Sequence, residues 1–476
     1  MRPRILNTMA EAVAGIPDGA SLMLPGFGGA GTPWNLLTAL YHQGAKDLTF
    51  IANGAGGTAT DPRIKGAGDI IDEERVVRLV ASFTAGTHPS RIPKAEQLVR
   101  DGKMTAELLP QGTLAERIRA GGAGVPAFFT PAGVGTMLAE KKEHRTFRGR
   151  EYVLEEALTA DYALIRAHKA DEVGNLVFRR AARNFNPIMA MAATHTIVEV
   201  EEPIVPAGTL NPDEVHLPGV YVEAMVSIAS DGVLRVDRAP NRPAAPTPDA
   251  APGERRPLTR EQIASVIGRR LQPGWIANLG VGMPTLASSY VDRSLGITLT
   301  SENGVIGYAE LATEAESDPD VVNAGGQNVT LIPGATFVHH ADSFALIRRG
   351  LVDVTVLGAY EVAADGSFAN WRMSTTPFDE LGGIGGAMDL VADAKQIWIA
   401  MEHTTRDGSP RLLERCTLPV TSPRGVTTVV TDLAVLAIRD GRFVIEELAP
   451  GYTAEEVVAL TGGPVEVSPN VRTIAL

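Results

Sequence analysis

One carboxylate, Glu302, stands where a charged side chain is unusual. It belongs to "ITLTSENGVIGYAE", residues 297–310, and follows a run of β-branched residues that favours a β-strand. The Asn303-Gly304 pair behind it is a strong turn signal. Glu302 is therefore predicted at the carboxyl end of a strand, the edge where open α/β sheets usually bind ligands. A solvated Glu on a surface turn is the alternative, because glutamate is mostly exposed in proteins.

Two glycine loops have the composition to hold an anion through backbone N–H groups. One lies in "SLMLPGFGGAGTPWNLLTAL" and the other in "GWIANLGVGMPTLASSY", and in each an apolar strand leads through glycines to a proline near a helix start. Neither keeps the full G-x-G-x-x-G pattern, which disfavours a dinucleotide site, and a tight turn without a ligand is the alternative for either loop alone. The positions that repeat at the same spacing are Gly29, Gly31 and Pro33 in the first loop and Gly280, Gly282 and Pro284 in the second.

The loops belong to a repeat that continues along the chain. The stretch "DYALIRAHKADEVG" falls in register with "DVTVLGAYEVAADG", so that Asp161 matches Asp353 and Gly174 matches Gly366. Two matching segments in the same order indicate a duplicated domain. We therefore predict two copies that pack face to face, with the glycine loop of one half near the strand ends of the other.

Around these positions the chain alternates β-branched runs with amphipathic stretches such as "TLAERIRAGG" and "REQIASVIGRRL". That alternation is typical of mostly parallel α/β sheets. Residues 237–257 consist mainly of Pro, Ala and charged residues, which predicts an extended linker. The predicted fold class is α/β, with two similar open domains at residues 1–236 and 258–476.

Composition disfavours several classes of protein. The chain has 476 residues, 44% hydrophobic and 21% charged, as in an ordinary globular protein of two or three domains. No apolar run is long enough for a bilayer and no secretory signal is visible, so a cytoplasmic protein without a membrane partner is expected. The net charge of -13 disfavours nucleic-acid binding. No His, Cys or carboxylate cluster has metal-ligand spacing, so no metal site is expected.

The motif "SENGVIGYAE" resembles the active-site motif of family I coenzyme A transferases, most closely their succinyl-CoA:3-oxoacid type. The similarity covers nearly the whole chain. It includes "PGFGGAGTPWNLL", "KADEVGNLVFRRAARNFN", "LGAYEVAADGSFANW", "GIGGAMDLV" and "MEHTTRDG". In this family the two halves are often separate α and β subunits, so the resemblance implies one fused chain joined at the proline-rich segment, with two domains of the CoA-transferase type.

The resemblance implies a role for Glu302 as a nucleophile. Its carboxylate would attack an acyl-CoA, and a glutamyl-CoA thioester would carry CoA to a second acid, a 3-oxo acid such as acetoacetate or 3-oxoadipate. Donors must meet the oxyanions that develop, and by resemblance they are the amide of Asn53 in "FIANGAG" and the backbone N–H of Gly386 in "GIGGAMD". No cofactor is implied beyond the CoA thioester substrate, and a homodimer or homotetramer is expected.

Other positions carry over from the family with a structural role as the alternative for each. The first glycine loop is expected to lie over the site, Gln111 of "PQGT" to contact the acyl acid, and a set in the second half to line the CoA pocket. The loop positions are Gly26, Phe27, Gly28 and Gly31, and the CoA-pocket positions are Asn278, Gly280, Gly282 and Asn370.

The chain departs from its relatives at several positions, which leaves the acid substrate open. Gly326 stands where relatives often have a Lys for CoA, and Asp379 and Glu380 replace lysines. His339 and His340 stand where relatives have small polar residues, and a solvated loop is the alternative to a site role for both.

Two rival functions use the same fold. An acyl-CoA hydrolase or C–C bond-cleaving enzyme would use Glu302 as a general base, and covalent trapping would distinguish it. A non-enzymatic metabolite-binding regulator is disfavoured, because Glu302, Asn53 and the Gly386 turn are retained and no DNA-binding segment is visible.

Overall fold

A computed structural model of the chain describes residues 2–56, 61–84, 93–231, 256–373, 382–423 and 425–476. Most of the expected linker, residues 237–255, therefore lies outside the described residues, as do Asp379 and Glu380. Of the helices that are described, none combines the length and apolar character that a membrane crossing requires. We call residues 2–231 the first half and residues 256–476 the second half.

The first half begins with a short strand and ends with a short helix. Its strands are β1 (Arg4–Leu6), β2 (Ser21–Leu24), β3 (Leu48–Ala52), β4 (Val76–Ala81), β5 (Thr105–Leu108), β6 (Ala127–Thr130), β7 (His144–Phe147), β8 (Arg150–Glu156), β9 (Ala160–Ala167), β10 (Lys169–Ala170), β11 (Leu176–Val177), β12 (Ala193–Val200) and β13 (Ala224–Ser227). Its α-helices are α1 (Met9–Val13), α2 (Trp34–Gln43), α3 (Ala67–Asp72), α4 (Lys94–Arg100), α5 (Gln111–Gly122), α6 (Asn186–Ala192) and α7 (Ile228–Asp231).

The second half opens on a helix whose first turn is closed by a capping box between Thr259 and Gln262. Its α-helices are α8 (Arg260–Arg270), α9 (Met283–Leu286), α10 (His340–Arg348), α11 (Ala387–Asp393) and α12 (Ala454–Ala459). Its strands are β14 (Ile276–Leu279), β15 (Thr298–Thr300), β16 (Val305–Leu311), β17 (Val329–Phe337), β18 (Val354–Leu357), β19 (Glu361–Ala363), β20 (Phe368–Ala369), β21 (Gln396–Ala400), β22 (Leu412–Leu413), β23 (Val426–Val430), β24 (Ala434–Arg439), β25 (Arg442–Leu448) and β26 (Val465–Thr473).

Each half is built on one large sheet, and the predicted α/β class is confirmed. Within the described residues, the first sheet has eight strands in the order β1-β13-β12-β9-β2-β3-β4-β5. The second has ten in the order β17-β16-β15-β14-β18-β21-β23-β24-β25-β26. The ladders of the first sheet are parallel, as predicted. The second sheet is mixed, because β16 and β24 run antiparallel to their neighbours, which the alternation of strands and helices did not predict.

The two halves share equivalent contacts at the repeated aspartates. Asp161 accepts a hydrogen bond of 2.9 Å from the N–H of Ser21, the first residue of β2. Asp353 accepts one of 2.8 Å from the N–H of Ile276, the first residue of β14. In both sheets, therefore, the strand that precedes a glycine loop is linked at its first residue to the neighbouring strand by a hydrogen bond to the aspartate. The structure therefore supports the repeat that the sequence predicts.

Apolar side chains fill both faces of each sheet and also join the two halves. In β2, Leu22 packs in a core on one face of the sheet while Met23 packs on the other, as strand alternation requires. Ala341 at the start of α10 packs within a first-half core, and Ala181 packs within a second-half core. An ion pair of 2.6 Å between Arg179 and Asp320 adds a polar contact between the halves. The halves therefore share one interface, and the strand ends of both reach it.

Candidate active site

Glu302 lies directly behind β15, at the strand end where the sequence places it. The residue is 3% exposed, and its Oε2 atom is buried without a hydrogen-bond partner among the described residues. Burial raises the pKa of this carboxyl to about 7, and its own backbone N–H opposes the rise. The solvated-turn alternative is therefore wrong. A buried carboxylate with an unpaired oxygen is costly to the fold and marks a candidate functional group.

Two other buried carboxylates show what a structural acid does in this protein. Glu199 accepts hydrogen bonds of 2.9 and 3.0 Å from N–H groups at the start of α2. Asp389 accepts hydrogen bonds of 2.8 and 3.1 Å from N–H groups at the start of α5. Burial raises the pKa of both acids, but each carboxylate completes a helix terminus. Glu302 completes no helix terminus, which distinguishes it from these two buried acids.

Tyr308 is a site residue that the sequence analysis missed. It lies on β16, opposite Leu299 of β15, and is 1% exposed. Its hydroxyl is buried without a partner among the described residues. Burial raises the pKa of this hydroxyl, and the negative charge of Glu302 raises it further. The phenol therefore stays protonated and can donate a hydrogen bond near the carboxylate.

Helix α10 connects the Glu302 turn to Gln111 of the first half. The Ser343 hydroxyl donates a hydrogen bond of 3.1 Å to the carbonyl oxygen of Ser301, next to Glu302. One turn earlier on the same helix, Nε2 of His340 lies 3.0 Å from Nε2 of Gln111. Gln111 is fully buried, and its Oε1 atom has no hydrogen-bond partner in the described part of the chain. Gln111, the expected acid-binding residue, thus contacts α10 one helical turn before Ser343, which contacts the Glu302 turn.

The loops of Asn53 and Gly386 meet across the interface between the halves. Gln111 donates its backbone N–H to Gly385 at 2.8 Å, and Gly385 donates to the carbonyl oxygen of Ser82 at 3.2 Å. Ser82 in turn donates to the carbonyl oxygen of Asn53 at 3.0 Å. Oδ1 of Asn53 is buried and unpaired in the described structure. A continuous line of contacts therefore runs from the Glu302 turn through Gln111 and Gly385 to Asn53.

Two asparagines hold the first glycine loop in place through hydrogen bonds to its backbone. Asn184 accepts the N–H of Gly26 at 3.2 Å, and Asn186 donates to the carbonyl oxygen of Gly31 at 3.0 Å. Gly31 has a φ of +70°, and a Cβ there would lie 2.7 Å from Nδ2 of Asn186, so only glycine fits. Gly28 belongs to the same loop, between β2 and α2. Both asparagines stand in the quoted stretch "KADEVGNLVFRRAARNFN", but their role was not predicted.

The same loop touches the second half, as the predicted face-to-face packing requires. Phe27 is 6% exposed, and its ring lies 5.5 Å from the ring of His340. The backbone N–H of His340 donates a hydrogen bond of 3.2 Å to the carbonyl oxygen of Asn184. The first glycine loop therefore lies beside the helix that contacts the Glu302 turn.

The second glycine loop lies at the end of β14, beside the strand that leads to Glu302. Asn278 donates a hydrogen bond of 3.2 Å to the carbonyl oxygen of Thr300, and its Oδ1 is buried and unpaired in the described structure. Gly280 donates to the carbonyl oxygen of Val356 at 2.8 Å, and Gly282 precedes α9 with open space where a Cβ would lie. These positions can line a ligand pocket next to β15.

Asn370 is engaged within the second half. It donates a hydrogen bond of 3.0 Å to the carbonyl oxygen of Gly358 and accepts one of 2.7 Å from the Thr421 hydroxyl. These contacts give Asn370 a structural role in its loop. A contact with CoA remains a prediction.

The two histidines have different environments. The solvated-loop alternative is wrong for His340, which is fully buried. His339 remains partly exposed and caps α10 by accepting the N–H of Asp342 at 3.3 Å. Sequence spacing could not separate these neighbours, because a helix start turns consecutive side chains to different sides.

Both halves of the chain are similar to known proteins. A coenzyme A transferase family profile matches residues 6–227 and 260–460, one region in each half. The chain is 40% identical to succinyl-CoA:3-ketoacid coenzyme A transferase 2A, mitochondrial, of the rat (Rattus norvegicus), over 97% of this chain and 89% of that protein. One subunit of a probable succinyl-CoA:3-ketoacid coenzyme A transferase of Bacillus subtilis is 48% identical over 48% of this chain and 91% of its own length.

A solved structure has the same overall fold. The crystal structure of an acyl-CoA transferase from Escherichia coli O157:H7 matches with a TM-score of 0.75 and 21% identity, over 100% of this chain and 95% of that one. The match extends the fold similarity to both halves.

Proposed function

Because this chain belongs to the coenzyme A transferase family, which matches both of its halves, we propose that it moves CoA from succinyl-CoA or another acyl-CoA to a 3-oxo acid through a thioester on Glu302. The observation that carries this proposal is the buried carboxylate of Glu302, whose Oε2 atom has no hydrogen-bond partner among the described residues. The 3-oxo acid is supported by the names of the rat and Bacillus subtilis relatives.

The reaction proceeds in four displacements. A Glu302 oxygen attacks the acyl-CoA carbonyl, the C–S bond breaks, and an acyl-glutamyl anhydride and CoA thiolate form. The thiolate attacks the glutamyl carbonyl, which releases the donor acid as a carboxylate and leaves Glu302 as a CoA thioester. The carboxylate of the 3-oxo acid then displaces the thiolate to form a second anhydride. Thiolate attack on its acyl carbonyl gives the new acyl-CoA and restores Glu302, so no net proton moves.

Burial of Glu302 suits this chemistry. A buried carboxylate with an oxygen that accepts no hydrogen bond is a stronger nucleophile than a solvated one, and less hydration has to be removed as the thioester approaches. The free carboxyl has a pKa of about 7 because it is buried, so the ionised form grows as the pH rises through 7. We therefore expect kcat/KM for the acyl-CoA to fall about tenfold per pH unit below that value.

Neutral donors from both halves can stabilise the oxyanion of each displacement. We assign this role to the side-chain amide of Asn53 and the backbone N–H of Gly386. Asn53 is tied through Ser82 to the turn that contains Gly385, so its loop lies beside the Gly386 turn. Neutral donors are preferable to a cation here, since a permanent charge would lower the energy of the resting carboxylate as well as the transition state.

Trapping the thioester tests the proposal. Incubation with acyl-CoA and no acceptor acid should give a protein heavier by one CoA less one water, localised to the peptide that contains Glu302. Glu302→Ala should lose the adduct and reduce the transfer rate more than about 10,000-fold. Glu199→Gln serves as a control for loss of a buried carboxylate and should still form the adduct. A wild-type enzyme that consumes acyl-CoA without any adduct would favour the hydrolase with Glu302 as general base.

Two further expectations accompany this proposal. We expect a homodimer or homotetramer, and a cytoplasmic location. The rat relative is named as a mitochondrial protein, so the location stays a prediction. The oligomeric state is a prediction from the family resemblance.

A further inference from the structure

His340 is a buried polar residue with no role in the proposed transfer steps. It is fully buried, and its ring stacks on Phe185 at 3.9 Å with an interplanar angle of 21°. Phe27 and Phe344 lie 5.5 and 6.2 Å from the ring. Burial lowers the pKa of the imidazole well below its ordinary range, so the ring is neutral. A neutral imidazole has one N–H donor and one bare acceptor nitrogen.

The contact with Gln111 decides which nitrogen carries the proton. Nε2 of His340 lies 3.0 Å from the amide nitrogen of Gln111, which can only donate. With the Gln111 amide oriented as it is in this structure, Nε2 is the acceptor and the proton lies on Nδ1. That Nδ1 atom is buried and has no hydrogen-bond partner among the described residues. The pair thus holds one buried N–H donor ready for a ligand.

The position of this donor indicates the ligand. Gln111 is the residue expected to contact the acyl acid, and its Oε1 lies 3.4 Å from the place of a Cβ on Gly386. Helix α10 carries both His340 and Ser343, whose hydroxyl bonds to the carbonyl of Ser301 beside Glu302. The donor therefore lies beside Gln111, on the helix that contacts the Glu302 turn.

We propose that His340 is a specificity-determining residue, whose Nδ1–H, fixed in that tautomer by Gln111, donates a hydrogen bond to the 3-oxo oxygen of the acid. This inference rests on the proposed CoA transfer and adds the group that recognises its acceptor. A plain alkanoic acid of the same length would leave the Nδ1–H unpaired in an apolar pocket, and an unpaired buried donor is costly. Sites built to bond a substrate oxygen reject the analogue that lacks it for this reason.

The test measures kcat/KM for acetoacetate and for butyrate, two four-carbon acids that differ by the 3-oxo group, with succinyl-CoA as donor. The ratio of the two values is independent of how much enzyme is folded. His340→Phe keeps an aromatic ring against Phe185 but has no donor, and we expect the ratio to fall about 10- to 100-fold. His340→Asn places an amide N–H near the Nδ1 position, and we expect the ratio to stay within about threefold of the wild type.

Either of two results would overturn the proposal. If the ratio is unchanged in His340→Phe, or falls equally in the Phe and Asn variants, the Nδ1–H does not recognise the 3-oxo oxygen. His339→Ser is the control, because Ser preserves a helix cap at a partly exposed position, and it should leave the ratio unaltered. A ratio that falls equally in His339→Ser would assign the effect to the start of α10 instead. Failure of the proposed function is a separate result, since it appears as a wild-type enzyme without a CoA adduct on Glu302.

Discussion

The ends of β3 and β15 are equivalent places in the two halves, yet the chain leaves them differently. Each strand pairs in parallel with the strand that precedes a glycine loop, β2 in one half and β14 in the other. Each is followed by an Asn-Gly pair, Asn53-Gly54 after β3 and Asn303-Gly304 after β15. After β3 the chain crosses through α3 to the parallel strand β4. After β15 it reverses at once into the antiparallel strand β16.

The sharp reversal explains why, of these two strand ends, the one in the second half holds a shielded carboxylate. Gly304 adopts a φ of +98°, and a Cβ there would collide with the carbonyl oxygen of Val338, so the tight turn requires glycine. The turn brings β16 back along β15 and places the Tyr308 hydroxyl near Glu302. The longer crossover of the first half leaves a neutral amide, Asn53, at the corresponding edge. The two similar edges therefore differ in that one carries a carboxylate and the other a neutral amide.

Apart from the loss of Glu302 itself, the largest expected effect on the transfer rate comes from removing the first-half donor. Asn53→Ala deletes one hydrogen bond to a developing oxyanion in a water-poor site, so the transfer rate should fall about 100- to 1000-fold with a modest change in acyl-CoA affinity. Asn53→Asp should be slower still, because a carboxylate would repel the developing charge. Steady-state kinetics of the folded variants measure both.

Asn211→Ala supplies the control for Asn53. Asn211 is exposed, and its side chain accepts the N–H of Asp213 within its own short 3₁₀ turn, so its loss should leave the rate within about twofold. A loss under about threefold in Asn53→Ala would remove Asn53 from the mechanism and leave the oxyanion to backbone groups such as Gly386.

A second prediction concerns the cost of the unpaired charge to folding. The pKa of Glu302 rises from its ordinary 4.5 to about 7 on burial. Ionisation of Glu302 therefore reduces the free energy of unfolding. The reduction is zero below pH 4.5, where the group is protonated in both states, and reaches about 3 kcal/mol above pH 7. Glu302→Gln should be inactive yet more stable. Its unfolding free energy should exceed that of the wild type by an amount that grows between pH 4.5 and 7 and is constant above pH 7. Urea titrations at several pH values measure it, and a pH-independent difference would contradict the assigned burial cost.

The buried acid that has partners should gain less from neutralisation. Asp389 accepts two N–H groups at the start of α5 and lies 3.9 Å from the Arg348 guanidinium. Burial raises the pKa of Asp389 to about 6, so its ionisation also costs the folded state free energy above that pH, but Asp389→Asn weakens the charged contacts with the helix start and with Arg348. In urea unfolding at pH 8, the gain in unfolding free energy should therefore be smaller than that of Glu302→Gln by about 1 kcal/mol or more. Equal gains in the two variants would remove the distinction between the two carboxylates.

The smallest effect is expected from cutting the chain between the halves. Cross-half contacts such as the Asp389 cap and the Arg179–Asp320 pair connect the halves without the linker. Separate expression of residues 1–236 and 258–476 in one cell should give a two-chain enzyme within about threefold of the intact activity at high protein concentration. Halves that are soluble and bind each other but lack activity would show that the join orients the site.

Local chemistry allowed much of the site to be predicted from the sequence. Glu302 could be placed because β-branched residues and an Asn-Gly pair fix a strand end over a few residues. The repeat could be recognised because Asp161 and Asp353 hold equivalent strand starts at a constant distance from the glycine loops. The family resemblance supplied Asn53 and Gly386, which no spacing along the chain relates to Glu302.

Long-range packing set the limit of sequence prediction. The antiparallel direction of β16 depends on the few residues between Glu302 and Val305, and the position of Tyr308 near the carboxylate follows from that reversal. The contact between His340 and Gln111 joins residues 229 positions apart in the sequence. Neither periodicity nor composition reports such a contact, because it depends on how the halves face each other.

Oxygen labelling tests the central claim, that Glu302 itself forms a covalent bond with the acid, most directly. Enzyme preloaded as the CoA thioester is given one turnover with an acceptor acid carrying ¹⁸O in both carboxyl positions, and is then digested. The anhydride route leaves one acceptor oxygen on the glutamyl carboxylate, so the peptide containing Glu302 should gain about 2 Da while the new acyl-CoA keeps the other label. Formation of labelled acyl-CoA with no label on Glu302 would contradict the account, because the oxygen would then have passed through water or another group.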